Sequence, residues 1–134
     1  ESVVANMCNN FLILRCSAML GADMRKNNFL KIVQDEEPEL SLAAGSVLNF
    51  VLHSDIKKII LRAYSQDISG FYDVISNNNI SLSEIADYCN KKCSFGSFKY
   101  LTYAQNNVML LKDFEFMDKT SLEVVREFME QTND

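Results

Sequence analysis

Apolar and polar positions recur along most of this chain with a period close to that of an α-helix, and the elements this pattern predicts are helical. Ser2 to Leu20 is apolar nearly all round, which predicts a long, central, buried helix. Gly21 ends or breaks it, and a shorter helix is expected over Ala22 to Val33. "QDEEPEL" supplies a charged loop in which Pro38 forbids helical continuation. Ser41 is placed to cap a helix reaching about His53. "HSDIKKIILRAYSQ" follows, with Ser54 or Asp55 as cap; Ile56, Ile59, Ile60 and Ala63 share one face, and Lys57, Lys58 and Arg62 lie opposite. "DISG" is expected to turn the chain, and Phe71 to Ser76 to form a short helix ended by Asn77-Asn78-Asn79.

The sharpest local signal is Ser81-Leu82-Ser83-Glu84, a capping box that opens a helix at Leu82, with Ile80 and Ile85 placed as a hydrophobic staple. Along that helix Leu82, Ile85, Ala86, Cys89 and Cys93 fall on one stripe, which assigns both cysteines to the core as small apolar residues. "SFGS" turns the chain, and Phe98, Leu101, Gln105, Val108 and Met109 mark another helix, flanked by Tyr100 and Tyr103. A short piece around Phe114 to Met117 precedes a second capping box, Thr120-Ser121-Leu122-Glu123, which opens a last helix through Leu122, Val125, Phe128 and Met129. The expected class is all-α: a compact multi-helix bundle of about eight helices around a buried N-terminal helix.

Composition narrows the picture little. The 134 residues suit one domain spanning 1–134, and 48% apolar with 23% charged residues is an ordinary globular balance. One Pro and four Gly are too few turn residues for a many-stranded sandwich or barrel. A formal charge of −5 disfavours general nucleic-acid binding. The apolar run Phe11 to Leu14, interrupted by Arg15, is far short of a membrane span. Because the chain starts at Glu1, it reads as a mature product or an excised fragment. The four cysteines lie inside apolar runs rather than in loops, so a reducing intracellular compartment, cytoplasmic or nuclear, is expected. The sequon Asn79-Ile80-Ser81 is a chance-level triplet.

Catalytic chemistry finds no foothold in this reading. Any Ser–His or Cys–His pair needs His53, the lone histidine, which sits at the end of an apolar segment. The glycines are isolated, so no phosphate-cradling loop is present. Asp35, Glu36, Glu37 and Glu39 lack the alternating spacing of a calcium loop. Cys89 and Cys93 lack two further ligands at paired spacing for zinc. No catalytic, metal or cofactor site is therefore expected.

Ala86, Tyr88, Cys89, Phe98, Leu101, Ala104, Asn107, Leu110-Leu111, Phe114 or Phe116, Leu122, Val125 and Phe128 carry a spacing that resembles the BACK-type helical module following BTB domains in Kelch-like adaptor proteins. The resemblance covers residues 84–128, and no strand-rich BTB core precedes it. It implies a helical scaffold that positions partners for cullin-type ubiquitin ligases. The expectation is thus a non-catalytic protein–protein adaptor, with Tyr100, Tyr103, Phe114 and Phe116 as partner-binding aromatics and a homodimer left open. Two alternatives stand beside it: a Bcl-2-like regulator binding a partner helix in an apolar groove, and a small apolar-ligand carrier.

Overall fold

A computed structural model describes residues 1–103 and 106–133. The fold is α/β, not all-α. The expected N-terminal helix is instead a short exposed helix α1 (Ser2–Met7) and two strands, β1 (Leu12–Cys16) and β2 (Ala18–Leu20). Helix α2 (Asn28–Gln34) follows, capped by the Asn27 side chain, which accepts from the Leu30 amide at 3.0 Å. The segment expected as a helix from Ser41 holds strands β3 (Val47–Leu48) and β4 (Phe50–Leu52), and Phe71 to Ser76 gives way to strand β5 (Gly70–Val74). Between them runs α3 (His53–Ser65), as the amphipathic pattern predicts, although no side chain caps it. Strand β6 (Ile80–Ser81) leads into α4 (Leu82–Tyr88). Helix α5 is confined to Val108–Asp113, a 3₁₀ turn covers Glu115–Met117, and α6 spans Ser121–Thr132. The helix expected from Phe98 is absent up to Tyr103: Phe98 and Leu101 bridge Leu42 and Val47 in extended chain, and Gln105 and Ala104 lie outside the described residues.

Strands β1 and β5 pair in parallel, from Leu12 opposite Gly70 to Cys16 opposite Val74. Strands β2 and β4 also pair in parallel, and β3 pairs antiparallel with β6. Parallel strands are covered on both faces and so lose the polar alternation that reveals a strand. Strand β4 shows this directly. Phe50 and Leu52 enter one core cluster, around Phe29, Ile85 and Phe128, while Val51 between them enters another, around Ile59, Val74 and Phe114. All three are at most 2% exposed. In the first cluster Phe29 stacks obliquely on Phe50 and edge-on to Phe128, at 5.2 and 5.5 Å between centroids.

Both capping boxes form. The Ser81 hydroxyl accepts from the Glu84 amide and the Glu84 carboxylate accepts from the Ser81 amide at 2.8 Å; Thr120 and Glu123 repeat the arrangement. The cysteine reading needs correction. All four thiols are free, Cys8 is exposed, and Cys16, Cys89 and Cys93 are half-buried. Helix α4 ends at Tyr88, so Cys93 lies beyond it, although Cys89 and Cys93 both pack against the first cluster. Among the described residues no helix is long and apolar enough to cross a membrane.

Candidate functional site

The chain changes partners between β1 and β2. The Ser17 amide still donates to the Val74 carbonyl of β5 at 3.0 Å, whereas the next amide, Ala18, donates to Asn49 at the start of β4, at 3.1 Å. In open α/β sheets ligands bind in the crevice outside the carboxyl ends of the strands, and β1 and β5 both end here. A cleft of about 680 Å³ lies at this point, bounded by Arg15, Asp73, Asn49, Asn78, Tyr100 and Tyr103.

One wall is the loop from Ser76 to Asn79, and its polar groups are fixed from behind. Asn49 is 4% exposed, and its amide nitrogen reaches the carbonyls of Ser76 and Asn78 and the Asn79 side chain at 3.0–3.2 Å. Its oxygen accepts from the Ser76 amide at 3.0 Å. From the opposite side, the Ser121 hydroxyl at the start of α6 donates to the Asn78 carbonyl at 2.7 Å and lies 2.6 Å from the Ser76 hydroxyl. The Ser121 amide donates to the Asn78 side-chain oxygen at 3.0 Å. Asn77 is tied outward, its amide to the Lys119 carbonyl at 2.8 Å and its side chain to Asp118 at 2.7 Å. A buried polar network satisfied to this degree holds one geometry.

The other wall, residues 98–103, is extended chain held mainly by backbone. The Tyr100 carbonyl accepts from the Val47 amide at 2.8 Å, and the Thr102 amide donates back to the Val47 carbonyl at 3.0 Å. The Tyr100 amide donates to the Ser46 hydroxyl at 3.1 Å, and the Asn79 side chain donates to the Thr102 carbonyl at 3.2 Å. Tyr100 and Tyr103 stay 46% and 85% exposed.

Charge at the mouth is limited to a pair. Arg15 and Asp73 are register partners on β1 and β5, 3.8 Å apart. Arg15 also donates two hydrogen bonds to the Glu1 carboxylate, at 2.9 and 2.7 Å, and lies 5.1 Å from the Phe71 ring centre. Those hydrogen bonds push the guanidinium pKa above its usual value and hold the Glu1 carboxyl below its own. Burial pushes the Cys16 thiol up, which keeps it protonated and unreactive. At the floor, the Ser17 hydroxyl is the one buried side-chain oxygen or nitrogen among the described residues without a hydrogen-bond partner.

The structure separates the four aromatics expected to bind partners. Tyr100 and Tyr103 meet at the cleft rim. Phe114, 0% exposed, packs edge-on against Tyr72 at 5.2 Å in the second core cluster. Half-buried Phe116 flanks that cluster beneath the Arg62 guanidinium, 4.8 Å from its ring centre. Tyr72 itself is no candidate acid: burial and its hydrogen bond to Asp113 push its pKa up to about 12. His53 is exposed on the first turn of α3, away from the cleft, its imidazole so close to Gly21 that any side chain there would collide with it. Among the described residues no three His, Cys, Asp or Glu side chains converge to hold a metal ion. The arrangement is equipped to bind and orient a polar ligand more than to move protons.

Sequence reasoning missed Arg15, Ser17, Asn49, Asp73 and the asparagine loop as site residues. The one signal available was an aromatic and β-branched run, "FYDVI", followed at once by three asparagines, which is how a strand delivers a polar loop.

No family model matches the chain, and no curated protein sequence matches it. Solved structures do. ADP-L-glycero-D-manno-heptose-6-epimerase of Helicobacter pylori aligns with 99% of this chain and 47% of its own, at 16% identity and a TM-score of 0.74. A dTDP-glucose 4,6-dehydratase of Bacillus anthracis, solved with NAD, aligns with 91% of this chain and 44% of its own, at 15% identity and 0.71. The UDP-glucuronic acid 4-epimerase of Bacillus cereus, solved with UDP-glucuronic acid and NAD, aligns with 98% and 48%, at 14% identity and 0.65. The chain spans about half the length of the structures it matches. These likenesses overturn the BACK-type resemblance, and with it the non-catalytic helical adaptor; the helical-groove regulator and the apolar-ligand carrier fall for the same reason. The fold this chain shares is the Rossmann-like α/β fold of epimerases and dehydratases, which are enzymes, and not that of a helical scaffold.

Proposed function

We propose that this chain is the substrate-side part of an enzyme of the NAD-dependent epimerase and dehydratase kind, and that the cleft at the end of β1 binds a nucleotide sugar. The observation that carries the reading is the coincidence of two features. The chain matches such enzymes over nine-tenths or more of its length, and it opens its polar cleft at the carboxyl ends of β1 and β5. Open α/β sheets bind their ligands at such points. The rigid asparagine wall fixes the exposed Asn78 side chain by its oxygen and leaves its amide nitrogen for ligand hydroxyls, and Tyr100 and Tyr103 supply aromatic faces for a ring. The free thiols fit the reducing intracellular setting expected of such a protein.

The dinucleotide itself does not fit the residues present. A dinucleotide site needs glycines between a strand and the helix it feeds, so that backbone amides reach the pyrophosphate. Here Gly21 is pressed against the His53 ring well short of α2, and Gly96 against the Ser41 carbonyl. Gly70, at φ +119°, opens β5, and Gly45 stands beside the Lys99 side chain in a loop. The chain therefore takes the substrate role.

Calorimetric titration of the full chain with UDP-galactose, UDP-glucuronic acid and NAD tests the reading. Saturable binding of a nucleotide sugar is expected, weakened about tenfold or more, roughly 1.4 kcal/mol, in a Tyr100→Ala/Tyr103→Ala double variant. Absence of binding by every nucleotide sugar, or binding of NAD alone, contradicts it.

A further inference from the structure

A nucleotide sugar presents an uncharged nucleoside, an anionic diphosphate and a sugar ring, and the cleft's charges discriminate between these pieces. Among the described lining residues, Arg15 and Asp73 are the charged ones, and their formal charges cancel across the β1–β5 register. The Arg15 guanidinium is further held by two hydrogen bonds from itself to the Glu1 carboxylate. A diphosphate entering here must compete with the Glu1 carboxylate for the guanidinium, and Asp73 repels it.

The backbone offers it no substitute. Helix N-termini bind anions through their unpaired amides and positive dipole end. The two that adjoin the asparagine loop are already engaged by the protein's own carboxylates: Glu84 caps α4 together with Ser81, and Glu123 caps α6 together with Thr120. What the cleft presents to a ligand is neutral: the exposed Asn78 side chain, Thr102, and the phenols and ring faces of Tyr100 and Tyr103.

We infer that this cleft takes an uncharged, hydroxyl-bearing ring of the nucleotide sugar, the nucleoside or the sugar, and that the diphosphate draws no affinity from it. The inference rests on the nucleotide-sugar reading above and specifies which part of that ligand this chain recognises.

NMR titrations of the full chain with uridine, methyl β-galactoside, UDP and UDP-galactose test it. UDP is expected to bind within about threefold of uridine, and the UDP-galactose dissociation constant to change less than about twofold between roughly 20 and 300 mM salt. The fragment, uridine or methyl galactoside, whose affinity approaches that of UDP-galactose identifies the ring. Asp73→Asn, which removes the opposing charge, is expected to raise the affinity of UDP relative to uridine. UDP binding more than about tenfold tighter than both neutral fragments, with an affinity that falls steeply with salt, overturns the inference alone. Failure of all four to bind overturns the nucleotide-sugar reading and the inference with it.

Discussion

The two walls of the cleft are built in opposite ways. Behind the asparagine loop, Asn49, Ser76, Asn78 and Ser121 form a buried lattice in which side chains bond backbone from β4 on one side and α6 on the other. Across the cleft, the segment from Phe98 to Tyr103 is joined to Val47 by isolated backbone bonds, and it leaves Phe98, Tyr100, Leu101 and Tyr103 between 46% and 85% exposed. One wall contributes to the stability of the whole fold; the other contributes surface. A site built this way can vary its ligand on the exposed wall without unfolding the protein, because the geometry is fixed by the buried one.

Asn49→Ala is the most severe way to break that contrast. It strands the Ser76 amide and carbonyl in a site that is 4% exposed and leaves the Asn78 carbonyl to the Ser76 and Ser121 hydroxyls, and a loss of about 3 kcal/mol is expected in denaturant unfolding. A loss below about 1 kcal/mol means the lattice is not what fixes the wall. Ser121→Ala removes a hydroxyl that joins Ser76, Asn78 and the Phe50 amide, and about 2 kcal/mol is expected. A double-mutant cycle with Ser76→Ala should then be non-additive by more than about 0.5 kcal/mol; additivity breaks the network into independent bonds.

Ser81→Ala should lower stability by about 1 kcal/mol through loss of the α4 cap. The same box has a pH signature. The hydrogen bonds from the Ser81 amide and hydroxyl hold the Glu84 carboxyl below its ordinary value, so its contribution is fully present above the ordinary carboxylate range and is lost as pH falls through the lowered folded value. Melting temperatures of wild type and Ser81→Ala should therefore draw closer at acid pH without meeting, because the Glu84 amide keeps its bond to the Ser81 hydroxyl in the wild type, and a gap that widens there contradicts the assignment. On the exposed wall, Tyr100→Ala and Tyr103→Ala are expected to change stability by no more than about 0.5 kcal/mol while weakening ligand binding. Ser17→Ala should be neutral or stabilising in the unliganded protein, since it removes a buried hydroxyl that has no partner.

What could be read from the sequence divides along a similar line. Both capping boxes, α3 and α6 were legible because their signals are local: a side chain three residues from its partner, or an apolar stripe facing one neighbour. The strands were not. "NFVL" is buried on both faces and "LILRC" is apolar at four of its five positions, so their apolar residues run continuously and match a buried helix as well as a buried strand. With that period misread, Arg15 became a mere interruption in an apolar run, and Asn77 to Asn79 a helix stop. The cleft was illegible for a further reason: it joins Ser17, Asn49 and Ser76, with Ser121 behind them, which are brought together by strand pairing and the packing of α6 and carry no spacing signature. The sequence offers Tyr100 and Tyr103 as aromatics for a protein partner, and the structure places them at the rim of this cleft.

Backbone amide chemical-shift mapping during a titration with UDP-galactose tests the central claim most directly. The account predicts shifts confined to residues 15–18, 48–49, 73–79 and 100–103, where β1 leaves β5 and the two walls face each other. Saturable shifts that cluster on another surface, or an unchanged spectrum at saturating ligand, contradict it.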